Sequence, residues 1–436
     1  PEDRTIADGP RVELAVVRIH YDGVDPRPEP VLYLHGGPGG GTLASGINGR
    51  VEFGRQMRRD LIVFDQRGTG LSEPSLECPE REAALIDALS DAAAWEIELD
   101  AFRTATSACF ERLTAEGHDL SQYHTYNNAA DVADLRTALG VDDWTLWGTS
   151  YGTRVGLAVL RSFPEGVRSV VFDSVYPPDY ADISGFVDSG LEAFDRLANG
   201  CGTDPNCEAT YGDLKALLTR AIASLDAEPF GVDLTLADGT TRRLAITGND
   251  AAAGLFNAMY DTTLIPMLPR VIADIAGGGR SMVGLIAQMG IPAINSITEG
   301  AFLSYECADN GARINQSEVD ELVAEPGIAS TILLAGWQLF CRDWPVRQLP
   351  ADFGDEVTSD VPALVFAGEY DPVTPAANSK RAAEALGNAT FVQVARSGHG
   401  VARESGCTTG LMIKFLDDPT VVDTSCVAGI PFPPFG

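Results

Sequence analysis

The segment Gly148-Thr149-Ser150-Tyr151-Gly152 sets a serine between two glycines in the spacing G-x-S-x-G. Before it runs Trp144-Thr145-Leu146-Trp147, apolar and β-prone, and after it runs Thr153 to Leu160, with the pattern of an amphipathic to buried helix. A serine at such a strand-to-helix turn is lifted clear of the sheet, and the flanking glycines let backbone approach where a Cβ would block it. The chemistry open to it is attack on a carbonyl carbon. A hydroxyl is a weak nucleophile, so a base must take its proton and a third group must orient that base.

In the α/β-hydrolase arrangement to which such an elbow belongs, chain order runs serine, acid, histidine. Of the five histidines, His20, His35, His118, His124 and His399, only His399 follows the serine. It stands in Ser397-Gly398-His399-Gly400, just after the alternating run Thr390 to Val394, so a loop leaving a strand would present it. For the acid, Asp371 is the best placed. It follows the buried-looking strand Val361 to Ala367 and a glycine turn, with Pro372 and Pro375 stiffening the loop before a helix from about Ala376 to Leu386. Glu369, two residues away, is its rival. Asp352, Asp355 and Glu356 fall in an irregular polar stretch and read as solvated charge.

A tetrahedral intermediate also needs preorganised N–H donors. The short apolar strand Val31 to Leu34 ends in His35-Gly36-Gly37-Pro38-Gly39-Gly40-Gly41, a loop that bares its backbone. Gly37 N–H and Tyr151 N–H are the expected donors of an oxyanion hole. The loop fits neither a P-loop nor G-x-G-x-x-G. His35 reads as a residue that fixes the loop.

Taken in order, His35-Gly36-Gly37-Pro38-Gly39, Asp65-Gln66-Arg67-Gly68-Thr69-Gly70, the Ser150 elbow, Asp371-Pro372-Val373-Thr374-Pro375 and Gly398-His399 resemble the proline iminopeptidase family. The longer similarity is to its secreted branch, the tripeptidyl-aminopeptidase-like hydrolases. That branch carries a cysteine-containing cap segment, a C-x-x-W motif like Cys341-Arg342-Asp343-Trp344, and two cysteines after the histidine, here Cys407 and Cys426. The similarity covers most of the chain, from about residue 10 to 430, and is weakest between about 180 and 300. It implies an α/β fold with a mostly parallel central sheet flanked by helices, a large mainly helical inserted cap, a Ser150–His399–Asp371 triad, and no metal or organic cofactor. Aminopeptidases of the family hold the substrate ammonium with cap carboxylates. Glu306 and Asp309, in Ser304-Tyr305-Glu306-Cys307-Ala308-Asp309, sit where that segment is expected. The iminopeptidase pattern has no cysteine there, which puts a proline-specific pocket in doubt.

The motifs must converge on one site although the chain has 436 residues, so one catalytic domain with an insertion is more economical than two domains. The expected core is 1–176 with 346–436, and the expected cap is 177–345. Within the cap, Leu214 to Leu225 and Asn249 to Tyr260 read as helices, and Asp233 to Ile246 as a hairpin around Asp238-Gly239. Pro431-Phe432-Pro433-Pro434 looks like a tail.

Eight cysteines are an even count, which suggests disulfides and an oxidising compartment, although over a hundred pairings exist. Pairing sequence neighbours gives Cys78–Cys109, Cys201–Cys207, Cys307–Cys341 and Cys407–Cys426. The spacing matches no zinc pattern. A net charge of −31 argues against nucleic acid and anionic membranes as partners, and no run of 18 apolar residues suggests a membrane span. The expected location is secreted or periplasmic, with a signal peptide already removed from a chain beginning at Pro1. Oligomeric state is not encoded in any of these features.

Three functions are compatible with the motifs: a serine exopeptidase releasing short peptides or single residues from free N-termini, a carboxylesterase of the same fold, and a non-catalytic hydrolase-fold binding protein. The apparently complete set of nucleophile, base, acid and oxyanion loop disfavours the third. A carboxylate anchor in the cap would separate the first two.

Overall fold

Strands β1 (Val16–Ile19), β2 (Val31–Leu34), β3 (Leu61–Phe64), β4 (Trp144–Thr149) and β5 (Val167–Asp173) precede a long central stretch. Within that stretch lie β6 (Phe230–Thr235) and β7 (Thr241–Ile246), and β8 (Ala363–Gly368) and β9 (Ala389–Val394) follow it. These come from a computed structural model, which describes residues 1–436 except 46, 92–93, 181–182, 236–238, 285–296, 325–326, 337 and 433. Seven of the strands form one sheet in the order β1-β3-β2-β4-β5-β8-β9, with β1 antiparallel to β3 and the rest parallel.

The composition of the strands explains their place. β2 (VLYL), β3 (LIVF) and β8 (ALVFAG) are buried at every residue, as parallel strands covered on both faces must be. Two apolar clusters form, and β4 supplies both, Leu146 to one and Trp147 to the other. The helix Tyr151–Ser162 is buried over its first ten residues. It lies so close to the sheet that a Cβ on Gly152 would stand 2.0 Å from the carbonyl oxygen of Leu34. Glycine is the residue that permits that approach.

Parallel strands put their C-terminal ends on one edge, and the register keeps them level. Leu34 is paired with Gly148, Thr149 with Asp173, Asp173 with Phe366 and Gly368 with Val394. The His35 loop, Ser150, Asp371 and His399 therefore leave the sheet at the same edge, the usual ligand-binding side of an open α/β sheet.

The central stretch contributes no strand to that sheet among the described residues. Among the described residues it contains the helices Ile183–Thr203, Leu214–Ala227, Gly248–Ala258, Glu299–Asn310 and Ile328–Gly336, with β6 and β7 paired as a hairpin. The helix expected over Leu214 to Leu225 begins behind an Asp213 cap and runs to Ala227. The one expected from Asn249 to Tyr260 begins one residue earlier, behind a Thr247–Asp250 capping box, and ends at Ala258. The hairpin starts at Phe230, three residues before the expected start, and Asp238 of its turn lies outside the described residues.

Pro431, Phe432 and Pro434 are exposed, as a tail would be, but the two residues after them are docked. Phe435 is buried and the Gly436 N–H donates to the Pro266 carbonyl at 3.0 Å. The aromatic that follows the prolines buries itself in the larger apolar cluster.

All eight cysteines are paired: Cys78–Cys109, Cys201–Cys207, Cys307–Cys341 and Cys407–Cys426. Among the described residues no helix is long and apolar enough to cross a membrane.

Candidate active site

Ser150 occupies a backbone conformation that side chains avoid, with φ 56° and ψ −126°. Such a geometry is held only where the surroundings over-determine it. Here the Ser150 N–H donates to the Asp173 carbonyl at 2.9 Å, and the Ser150 carbonyl accepts from Thr153 N–H and Oγ1 at 2.9 and 2.6 Å. The turn is pinned on both sides of the strained residue.

His399 Nδ1–H donates to Asp371 Oδ2 at 2.8 Å. Asp371 is itself fully buried and fixed. Its Oδ1 accepts from Val373 and Thr374 N–H, both at 2.9 Å, and its Oδ2 accepts from Thr374 Oγ1 at 2.8 Å. Burial alone would raise this carboxyl, but the His399 charge and hydrogen bond, with the two N–H groups, hold it below the usual aspartate range. Burial works against the imidazolium too, yet the charge and hydrogen bond of Asp371, and then the charge of Asp173, raise His399 above its ordinary 6.5. Glu369, the rival acid, points elsewhere: its Oε2 accepts from Arg396 N–H at 2.7 Å.

The structure brings the serine and histidine loops together through their neighbours. A Cβ on Gly400 would lie 3.6 Å from Thr149 Cγ2, so the residue after His399 packs on the residue before Ser150. No hydrogen bond joins the Ser150 hydroxyl to the imidazole among the described contacts, and such bonds commonly tighten only with substrate bound.

The glycine loop lies directly over the serine. A Cβ on Gly36 would come within 2.8 Å of Ser150 Cβ, and Gly37, at φ +119°, lines the same cavity as Ser150. Tyr151 is the first residue of its helix, where an N–H has no partner within the helix. His35 supports the loop: its Nδ1 accepts from Gly36 N–H at 2.8 Å, and burial, with the charge of Arg50, pushes its pKa down to about 4, so it stays neutral. Asp65 holds the far end, accepting from Leu43 N–H at 3.0 Å and Leu71 N–H at 2.8 Å.

The cavity above Ser150 encloses about 460 Å³ of space not filled by atoms, open solvent included. Tyr176, Phe302, Glu306 and Thr374 line it with Gly37 and Ser150. Phe302 and Glu306, four residues apart on the helix Glu299–Asn310, share the face turned to it. The buried Glu306 carboxylate accepts from Asn310 Nδ2 at 2.7 Å and from Tyr176 OH at 3.1 Å.

Asp309, expected beside Glu306 in the cavity, faces away from it. Its Oδ1 accepts from Thr125 N–H at 3.1 Å, its Oδ2 accepts from the Thr125 hydroxyl, and it stands 3.9 Å from the buried guanidinium of Arg154. Three residues after Glu306, it is rotated toward Thr125. Burial pushes its pKa up to about 6. The sequence reading also passed over Tyr176, Phe302, Thr374, and the strand-end pair Asp173 and Ser174. For Asp173 the signal existed, since it ends a buried strand as Asp371 nearly does.

This architecture agrees with the family comparison. Residues 29–402 match the family described as alpha/beta hydrolase fold. The chain belongs to it. Among curated relatives, the tripeptidyl aminopeptidase of Streptomyces lividans is 32% identical over 462 residues, covering 98% of this chain and 80% of the relative. Serine protease Hip1 of Mycobacterium tuberculosis H37Rv is 24% identical over 409 residues, covering 86% and 75%. The proline iminopeptidase of Arabidopsis thaliana is 28% identical over 168 residues, covering 38% and 32%. The chain is thus an aminopeptidase-like α/β hydrolase.

Proposed function

We propose that the protein is a secreted serine exopeptidase that releases single residues or short peptides from free N-termini through an acyl-enzyme. Ser150 Oγ attacks the scissile carbonyl while His399 Nε2 takes its proton, and Asp371 holds the imidazole through Nδ1. The oxyanion that forms accepts from Gly37 and Tyr151 N–H. Collapse of the intermediate expels the amine, which leaves with the proton from His399. A water molecule then repeats the sequence on the ester and frees Ser150. Residues 177–345 serve as a cap over this centre. Four disulfides support an oxidising compartment.

The observation that carries the exopeptidase reading is Glu306. It is a buried carboxylate lining the same cavity as Ser150, and Tyr176 and Asn310 donate to it. A buried ammonium without a partner is costly, and an aminopeptidase must solve that problem. Glu306 and Asp309 both act on the buried Arg154 guanidinium, and of the two it is Glu306 that lines the cavity a substrate cation would enter.

The test uses matched aminoacyl and tripeptidyl amides, with free and acetylated N-termini, beside a short-chain ester. The wild-type enzyme is expected to hydrolyse the free-amine series far faster than the acetylated one. Glu306→Gln should raise KM for free amines on the order of 10- to 100-fold, the scale of a lost charge-assisted hydrogen bond, and leave the ester within about twofold. Equal effects on amine and ester would make Glu306 a fold residue. Ready hydrolysis of acetylated substrates would make the protein an esterase.

A further inference from the structure

Three consecutive N–H groups follow His399, and all three are received by one strand end. Gly400 N–H donates to Ser174 Oγ at 2.9 Å, Val401 N–H to Asp173 Oδ1 at 2.9 Å, and Ala402 N–H to Asp173 Oδ2 at 2.9 Å. The same Asp173 accepts, through its main-chain carbonyl, the N–H of Ser150 at 2.9 Å. One residue therefore holds the strained elbow with its backbone and the histidine loop with its side chain.

The pair is built into the sheet. Asp173 and Ser174 are 3% and 0% exposed, which leaves their side chains little freedom to hold the loop anywhere else. Ser174 sits at φ +62°, and its N–H donates to the Phe366 carbonyl of β8 at 3.0 Å, so the strand that leads to Asp371 joins the same network. Successive N–H groups converging on a carboxylate make an anion nest, and here the anion is internal.

We propose that Asp173 and Ser174 are the positioning residues of the base: they set His399 relative to Ser150, and the Asp173 carboxylate is a second anion beside the imidazolium. This rests on Ser150 and His399 acting as nucleophile and base. Neither residue touches substrate. The Ala402 and Val401 N–H groups and then the charge of His399 favour the Asp173 carboxylate, and the charge of Asp371 opposes it. Burial is the larger influence and pushes the Asp173 carboxyl up to about 6, so it is charged at neutral pH. Its charge in turn raises the basicity of His399, behind the stronger effect of Asp371.

Asp173→Asn keeps the shape, but sets an amide N–H₂ against one backbone N–H and removes the charge. In the full-length enzyme, kcat on a free-amine amide should fall on the order of 10- to 100-fold while KM stays within about twofold. The acid limb of kcat/KM should also move to lower pH, because His399 loses a neighbouring anion. Ser174→Ala removes one oxygen and no charge. It should lower kcat several-fold with KM and the acid limb unmoved, and it carries the test if Asp173→Asn does not fold. Wild-type kcat in Ser174→Ala, or wild-type kcat and acid limb in a folded Asp173→Asn that has lost only thermal stability, overturns the proposal. His399→Ala is the control for the reading beneath it. If that variant keeps normal turnover, the assignment of the base fails, whatever Asp173 does.

Discussion

His399 is raised above 6.5 by its neighbours, and a base must be neutral to accept a proton. Activity should therefore fall as pH drops through the pKa of His399, with the midpoint of the acid limb of kcat/KM above 6.5. A pH–rate profile on a free-amine amide checks this, and a midpoint well below 6.5 would remove His399 as the base. Asp371→Asn should cost on the order of 10⁴-fold in kcat, since the tautomer that presents Nε2 to the serine is lost. An innocuous Asp371→Asn beside an inactive Glu369→Gln would transfer the acid to Glu369. Between those two carboxylates the sequence spoke clearly, because a strand end and a proline-stiffened loop give Asp371 a fixed position. Asp309 was not legible in the same way. Its environment is set by Thr125 and Arg154, which are distant in sequence, and no local pattern announces them.

The helix Glu299–Asn310 ties the cavity to the glycine loop after β2. Just before it, Thr298 N–H donates to the Gly39 carbonyl at 2.9 Å, and Glu306 lies nearer its other end. Cys307, next to Glu306, is bonded to Cys341. Replacing both cysteines with serine should lower stability by about 2–4 kcal/mol, because a loop of 34 residues is no longer closed in the unfolded chain. It should also raise KM for free-amine substrates more than for an ester, as the Glu306 carboxylate loses its fixed position. Thermal unfolding together with KM on both substrates reads the outcome, and unchanged stability with unchanged KM would deny the bond any bracing role. Strands and helices of this kind were readable because buried runs and caps are local signals. The hairpin was readable from its turn residues, but its start was not, since pairing register is decided by the partner strand. The docking of the last two residues was not readable, because their docking surface, around Pro266, belongs to a distant part of the chain.

At the scale of the whole molecule, 62 acidic residues against 31 basic ones make pH a lever on stability. Burial pushes Glu98 and Glu299 up to about 7 and Asp173 and Asp309 up to about 6. Groups raised in the folded state bind protons there more tightly than in the unfolded chain, so stability should grow as pH falls from above 7 toward 6. His35 and His124 act in the opposite sense. Burial lowers them to about 4 and about 3, so the unfolded chain takes up their protons first and stability is lost as pH falls below 6.5. The melting temperature should then be higher at pH 6.5 than at pH 8.5, since the four raised carboxyls outweigh the two histidines. Calorimetry across that range decides it, and a melting temperature rising steadily to alkaline pH would contradict the balance of shifts.

What joins these scales is the claim that four loops at one sheet edge make Ser150 a nucleophile. A fluorophosphonate probe, followed by peptide mapping of the labelled enzyme, tests that most directly. The prediction is a single covalent adduct on Ser150, formed quickly by the wild-type enzyme and absent from Ser150→Ala, whose turnover falls by several orders of magnitude while its melting temperature is kept. An adduct on another residue, or near-normal turnover by Ser150→Ala, would contradict it.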